Sequence, residues 1–149
     1  MFKRILIVCT GNICRSPMAE ALFRASLGAG YEVGSAGVAA LIGAPADPLA
    51  VEVMREHGHD ISAHRGRQVV LPMLARAELI VALDRTHSTG LQRQYPQLRG
   101  RVHKLLRWRG DADVEDPFRQ PKAAFEHAYR DIELGVQDWV ERMRKNRSV

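Results

Sequence analysis

A chain of 149 residues, 46% hydrophobic and 26% charged, has the composition of one ordinary globular domain and is too short for two of the usual size. No apolar run approaches the roughly 18 residues of a membrane span, and the only two cysteines, Cys9 and Cys14, lie too close in sequence to staple a small secreted fold, which favours the cytoplasm. The net charge of +5 suits an anionic substrate as well as nucleic acid or a membrane surface, and it selects none of them because the basic residues are scattered. The exception, RMRKNR at Arg142–Arg147, reads as the solvated end of a helix, where cations complement the dipole.

The chain opens on KRILIVC (3–9), a nearly continuous apolar run of the kind buried on both faces of a parallel sheet. Its apolar stretch is only about five residues long and no small-residue cleavage site follows, so it reads as a strand rather than a signal peptide. SPMAEALFRASLGAG (16–30) predicts a helix with Ser16 as N-cap, Pro17 at its first position, and Gly28 or Gly30 beyond its end. YEVGSAGV (31–38) predicts a second strand, and DPLAVEVMREHG (47–58) a second helix ending at Gly58. AELIVALD (77–84) is another buried strand, RTHSTGLQRQYP (85–96) a weaker helix stopped by Pro96, and RVHKLL (101–106) a fourth strand. In the last helix Phe125, Ala128, Ile132, Val136, Trp139 and Met143 fall three and four apart, one apolar stripe suited to lying on a sheet. Strands alternating with helices, without repeats or linkers, predict a single α/β domain over 1–149 with a parallel sheet covered on both faces.

In such sheets ligands bind beyond the carboxyl ends of the strands, and VCTGNICRSPMAE (8–20) occupies that place. Gly11 permits close backbone approach or positive φ, Asn12 tolerates a left-handed conformation, and the loop runs into the positive end of a helix dipole. The expected result is a nest of backbone N–H groups that holds an anion. Arg15 adds a planar fork for two oxygens of a phosphate, and a thiol at Cys9 facing that field is suited to act as a nucleophile. The loop has neither the G-x-G-x-x-G of a dinucleotide site nor the G-K-[ST] of a nucleotide P-loop. Asp84, at the end of a strand near the loop, either orients it or caps the next helix. Cys14 is either a small hydrophobe under the loop or a thiol partner of Cys9 in a reversible redox pair. The histidines His57, His59, His64, His87, His103 and His127 show no metal-ligand spacing and are read mostly as surface residues, with Trp108 and Trp139 as packing.

VCTGNICRSPMAE resembles the phosphate-binding loop of the low-molecular-weight protein tyrosine phosphatases. The resemblance runs along the whole chain: EVGSAGV, DISAHRGRQV, ELIVALD and EDPFR are similar to that family's second strand, loop-supporting segment, third strand and general-acid loop. It implies a four-stranded parallel sheet flanked by helices, with no metal and no cofactor. SAGVAALIG and LLRWRGDADVEDPFR are most similar to bacterial enzymes that act with tyrosine autokinases in exopolysaccharide export. Carried over residue by residue, Cys9 is the nucleophile, Arg15 the clamp on equatorial charge, and Asp116 the acid that protonates the leaving phenolate and then activates water. Backbone N–H groups over Thr10, Gly11, Asn12, Ile13, Cys14 and Arg15 complete the cradle; Ser16 donates to the Cys9 thiolate, and Asn12, steadied by His64, holds the loop. Leu41 and Phe118 line the mouth. Many relatives have tyrosine at the Phe118 position, and eukaryotic members an aromatic residue at the Leu41 position, so the mouth is expected to be less aromatic here.

The family resemblance leaves alternatives on the same fold. A protein-arginine phosphatase tends to carry threonine where this chain has Ile13, and an arsenate reductase needs a further downstream cysteine, whereas none follows Cys14. A silent phosphotyrosine-binding module is disfavoured by the intact Cys9, Arg15 and Asp116. The expected partner is a phosphotyrosine protein, a bacterial tyrosine autokinase, met by a monomer that binds no nucleic acid and does not enter the membrane.

Overall fold

Strand β1 (Arg4–Cys9) is apolar on both faces, and the computed structural model of the protein, which describes residues 2–147, shows why. Successive side chains of a strand point to opposite faces. Ile5, Ile7 and Cys9 accordingly pack into one layer with Leu79 and Val81, while Leu6 and Val8 pack into another with Ile80. The first layer is closed by α1 (Arg15–Leu27), α2 (Pro48–Glu56) and α5 (Lys122–Arg147); the second by α3 (Leu71–Arg76), α4 (Arg85–Gln94) and a 3-10 turn over Pro96–Arg101. Strands β2 (Glu32–Gly37), β3 (Leu79–Ala82) and β4 (Val102–Lys104) complete a single parallel sheet in the order β2-β1-β3-β4. The predicted stripe on α5 is the face it buries: Phe125, Ala128, Ile132, Val136, Trp139 and Met143 all lie in the core.

The strand order fixes the place of any site. The chain leaves β1 toward β2 and leaves β3 toward β4, so the two connections diverge and a crevice opens beyond the carboxyl ends of β1 and β3. Residues 10–14 and Leu83–Asp84 border it.

Several boundaries depart from the sequence reading. Ser16 is not the N-cap of α1: Cys14 holds that position without a side-chain cap, and Ser16 and Pro17 are the second and third helical residues. Ser16 is occupied in the loop instead. Gly28, at φ 79°, ends the helix, a conformation that costs glycine little. Helix α3 was not anticipated, because its six residues bury only Leu74 and are too few for a period to show. The fourth strand stops at Lys104; Leu105 and Leu106 leave it to pack beside Gly135 of α5, where a side chain would strike both. The basic tail is docked rather than wholly solvated. The Arg142 guanidinium lies 4.1 Å over the Trp108 ring and Arg144 donates to the Ser26 carbonyl at 2.9 Å, while the side chains of Asn146 and Arg147 lie outside the described residues. No helix among the described residues is long and apolar enough to cross a membrane.

Candidate active site

The loop after β1 turns six successive carbonyl groups outward. Cys9 O accepts from Val38 N at 2.9 Å, Thr10 O from Ala39 N at 3.0 Å, Gly11 O from Leu41 N at 3.0 Å, Ile13 O from Asp47 N at 2.8 Å and Cys14 O from Met18 N at 3.4 Å. Asn12 O accepts from His64 Nε2 at 2.6 Å, which puts the proton of that imidazole on Nε2. In a trans peptide the N–H of the next residue points opposite to the carbonyl, and the described chain has no cis bond. The N–H groups of Thr10 through Arg15 therefore face the concave side, at the N-terminus of α1, as an anion-binding nest.

Gly37 and Asn12 allow this shape, and Gly11, to which the sequence reading assigned it, does not. Gly11 has no positive φ, and a side chain there would meet only Ile13 Cγ1 at 3.6 Å. The close approach occurs at Gly37, at the end of β2, where a Cβ would collide with Thr10 O and stand 3.0 Å from Asn12 N. The left-handed residue is Asn12, at φ 59°. Its side chain offsets that strain by donating through Nδ2 to Ser16 Oγ at 2.7 Å and to Ser35 Oγ at 2.9 Å, while Oδ1 accepts from Arg67 N at 2.9 Å. The Ser35 hydroxyl donates to Glu20 Oε1 at 2.5 Å, and the Ser16 hydroxyl stands 2.8 Å from Cys9 Sγ, placed to donate to a thiolate there. Asn12 N–H donates to the same sulfur at 3.3 Å, so two donors can converge on Cys9 Sγ.

Arg15 closes the other side of the nest. It is 2% exposed, and its Nη1 is committed, donating to Asp84 Oδ2 at 2.8 Å and to Val114 O at 2.7 Å. Its Nη2 lies 3.7 Å from Asp116 Oδ2, so the free edge of the guanidinium faces that carboxylate across the crevice. Asp84 fills both roles left open by the sequence: Oδ2 orients Arg15, and Oδ1 caps α4 by accepting from Thr86 N at 2.9 Å and His87 N at 3.3 Å. Burial alone would raise the Asp84 carboxyl, but hydrogen bonds from the Thr86 hydroxyl and Arg15, with the charge of Arg15, outweigh it and hold the group at about 2.

The segment that carries Asp116 is pinned just before it. Asp113 pairs with Lys104 at 2.6 Å and accepts from Arg85 N at 2.9 Å, Lys104 also donates to the Asp111 carbonyl, and Val114 N donates to Leu83 O at 2.9 Å. Beyond these anchors the Asp116 side chain is 48% exposed, its Oδ1 accepting from Phe118 N at 3.1 Å.

The sequence matches the low molecular weight phosphotyrosine protein phosphatase family over residues 4–149. The chain belongs to this family of protein-tyrosine phosphatases. It is 49% identical to a probable low molecular weight protein-tyrosine-phosphatase, EpsP, of Ralstonia nicotianae, over 97% of this chain and 98% of that protein. Among solved structures it is similar to Vibrio vulnificus Wzb in complex with benzylphosphonate, with a TM-score of 0.91 and 38% identity over 95% of this chain and 99% of the other. It is also similar to the YwlE arginine phosphatase from Geobacillus stearothermophilus, with a TM-score of 0.91 and 32% identity over 98% and 95%.

Around the phosphatase loop, the rim is apolar. Leu41 is exposed beside the loop that its N–H supports, Ile42 next to it is more exposed still, and the exposed Phe118 carries the Arg119 guanidinium 5.2 Å over its ring. Cys14 and Cys9 are both free and buried, and burial pushes the Cys14 thiol up. A cavity of about 870 Å³ lies elsewhere, along the outer edge of β2, with Pro17, Ser35 and His64 in its lining. Arg24 and Arg67 cover that strand edge by donating to the carbonyls of Val33 and Ser35.

Only His87 among the histidines is buried, so one of them departs from the expectation that most lie at the surface. His57 stacks on Tyr129 at 3.9 Å, and His87, read with the surface residues, is 2% exposed with Nε2 2.8 Å from Thr10 Oγ1. The signal for His87 was present: His87, Ser88 and Leu91 fall at helical spacing and form the face α4 buries. Ser35 carried no such signal, since only the pairing of β2 beside β1 brings it to Asn12, and Glu20 of α1 joins the site through Ser35.

Proposed function

We propose that Cys9, Arg15 and Asp116 carry out this family's hydrolysis of protein phosphotyrosine, and that the phosphoprotein is a bacterial tyrosine autokinase of exopolysaccharide production. The observation that carries the reading is the row of six outward carbonyls, which turns the intervening N–H groups on one anion beside Cys9 Sγ. A phosphoryl group seated there presents phosphorus to the sulfur, while the N–H groups and the free edge of Arg15 take its equatorial oxygens. Sulfur attacks, the P–O bond to the phenol breaks, and Asp116 gives its proton to the departing oxygen. Asp116, now a carboxylate, takes a proton from water as that water attacks the cysteinyl-phosphate, which releases inorganic phosphate and restores the sulfur.

Leu41 and Phe118 then flank the tyrosyl ring at the mouth, Ser16 supports the sulfur, and Asn12, His64 and Asp84 hold the loop and Arg15 in place. These steps close with water alone, so the reading needs no metal or cofactor. The whole of residues 1–149 serves as one phosphatase domain, acting as a cytoplasmic monomer without nucleic acid. The choice of an autokinase rests on the resemblance of SAGVAALIG and LLRWRGDADVEDPFR to the bacterial enzymes of that system. Ile13, apolar and buried, supports an aromatic ester over phosphoarginine despite the likeness to YwlE.

The leaving group tests Asp116. A phenol with pKa near ~10 departs badly as its anion, whereas an activated aryl phosphate departs unassisted. Asp116→Asn keeps the shape and removes the proton, so the pre-steady-state burst should fall by roughly 10²–10⁴ on a phosphotyrosine peptide and only slightly on the activated ester. Equal losses would make Asp116 structural. Glu115 would then be the next candidate, because Asp113 is engaged by Lys104 and the Arg85 N–H.

A further inference from the structure

The first turn of α4 grips both ends of the phosphate loop. Asp84 holds Arg15, the last residue of the C-x5-R stretch, and three residues later His87 holds Thr10, the first residue after Cys9. The His87 ring is buried, which leaves it no solvent in which to turn, and Thr10 is β-branched with few side-chain rotamers, so a 2.8 Å contact between them fixes the backbone at Thr10 as well. Nδ1 of the ring stands 3.3 Å from Asp84 Oδ1, without the alignment of a hydrogen bond. The carboxylate nevertheless favours the tautomer with its proton on Nδ1, so that Nε2 accepts from the Thr10 hydroxyl. Burial opposes the protonated ring, as does the Arg15 cation; Asp84, Asp116 and Asp113 favour it, and burial prevails. Among the described residues the His87 side chain hydrogen-bonds Thr10, and none of its hydrogen bonds runs to Cys9 or Arg15.

We propose that His87 is a positioning residue of this phosphatase: by accepting the Thr10 hydroxyl it holds the start of the loop so that the Thr10 N–H points at the phosphoryl oxygens. This rests on the reading of the loop as a phosphate cradle. The two grips divide the loop: Asp84 orients a side chain at its far end, while at Thr10 His87 adds a side-chain hold to the Val38 and Ala39 N–H groups that tie the flanking carbonyls.

Inorganic phosphate, as a competitive inhibitor of phosphotyrosine peptide turnover, reads the cradle without the chemistry. His87→Asn keeps a polar atom near the Nδ1 position but cannot reach Thr10, and it should raise the phosphate Ki about tenfold, as Thr10→Val should, the loss of one half-buried hydrogen bond. His87→Gln brings its terminal amide to the Nε2 position and should stay within about threefold of the natural chain, at a melting temperature no higher than that of His87→Asn. The asparagine change should add almost nothing in the Thr10→Val background, because the pair has already been broken. If His87→Asn does not fold, Thr10→Ser, which keeps the hydroxyl, set against Thr10→Val poses the same question. A normal phosphate Ki in His87→Asn, a glutamine variant as poor as asparagine, or additive losses in the double variant would overturn the role of His87. A natural chain that neither turns over phosphotyrosine nor binds phosphate would overturn the cradle and this role together.

Discussion

Replacing Cys9 by serine is expected to abolish phosphotyrosine turnover, a loss on the order of 10⁵–10⁶ as for removal of a catalytic nucleophile elsewhere, while phosphate still binds. The two effects separate because they depend on different atoms. The cradle is set by carbonyls tied to Val38, Ala39, Leu41, Asp47, Met18 and His64, and none of those bonds involves the cysteine side chain. The nucleophile depends on a sulfur that accepts from Ser16 and from Asn12 N–H. A serine hydroxyl at that point keeps its own proton, so the donors that support an anion find a neutral group. Phosphate release and calorimetric titration with phosphate check the two halves. A tenth of the natural activity remaining in Cys9→Ser would rule out covalent catalysis at this position.

Arg15→Lys should lower kcat by about 10²–10³ although the charge is retained. The guanidinium does two things at once: one nitrogen bridges Asp84 and Val114 O, and the other edge remains for the phosphoryl oxygens. A lysine ammonium is a single point. Asp84, held at about 2, is ionised throughout the working pH range and draws that ammonium to itself, which leaves Val114 O unpaired and the equatorial oxygens without their clamp. Steady-state kinetics on a phosphotyrosine peptide decides the matter, and near-normal kcat would mean that Arg15 does not face the phosphate.

What the sequence disclosed and what it withheld divide along the range of the interactions. The apolar run of β1, the stripe of α5 and the C-x5-R spacing are local, so period and composition reveal them. Ser16 shows the limit. Ser-Pro is a common helix start, and only the fold brings Cys9 Sγ and Asn12 Nδ2 to its hydroxyl and so draws it into the loop. Gly37 likewise looks like an ordinary strand glycine until β2 pairs with β1 and carries it against Thr10 and Asn12. Of the six carbonyl partners of the loop only Met18 is local; Val38, Ala39, Leu41, Asp47 and His64 are separated from it by an entire helix and strand, and of these only His64 was indicated, by the family resemblance rather than by period or composition. His87 was misread because a histidine in a polar helix looks solvent-facing until the buried side of that helix is known.

The central claim is that Cys9 becomes phosphorylated in each turnover. It is tested most directly by mixing enzyme and phosphotyrosine peptide, quenching in acid within the first turnover, and mapping the mass of the peptide that spans residues 8–20. The expected result is one phosphoryl group on Cys9, appearing in step with the burst of free phenol and missing from Cys9→Ser. A burst with no covalent phosphate, or with the phosphoryl group on a different residue, would contradict it.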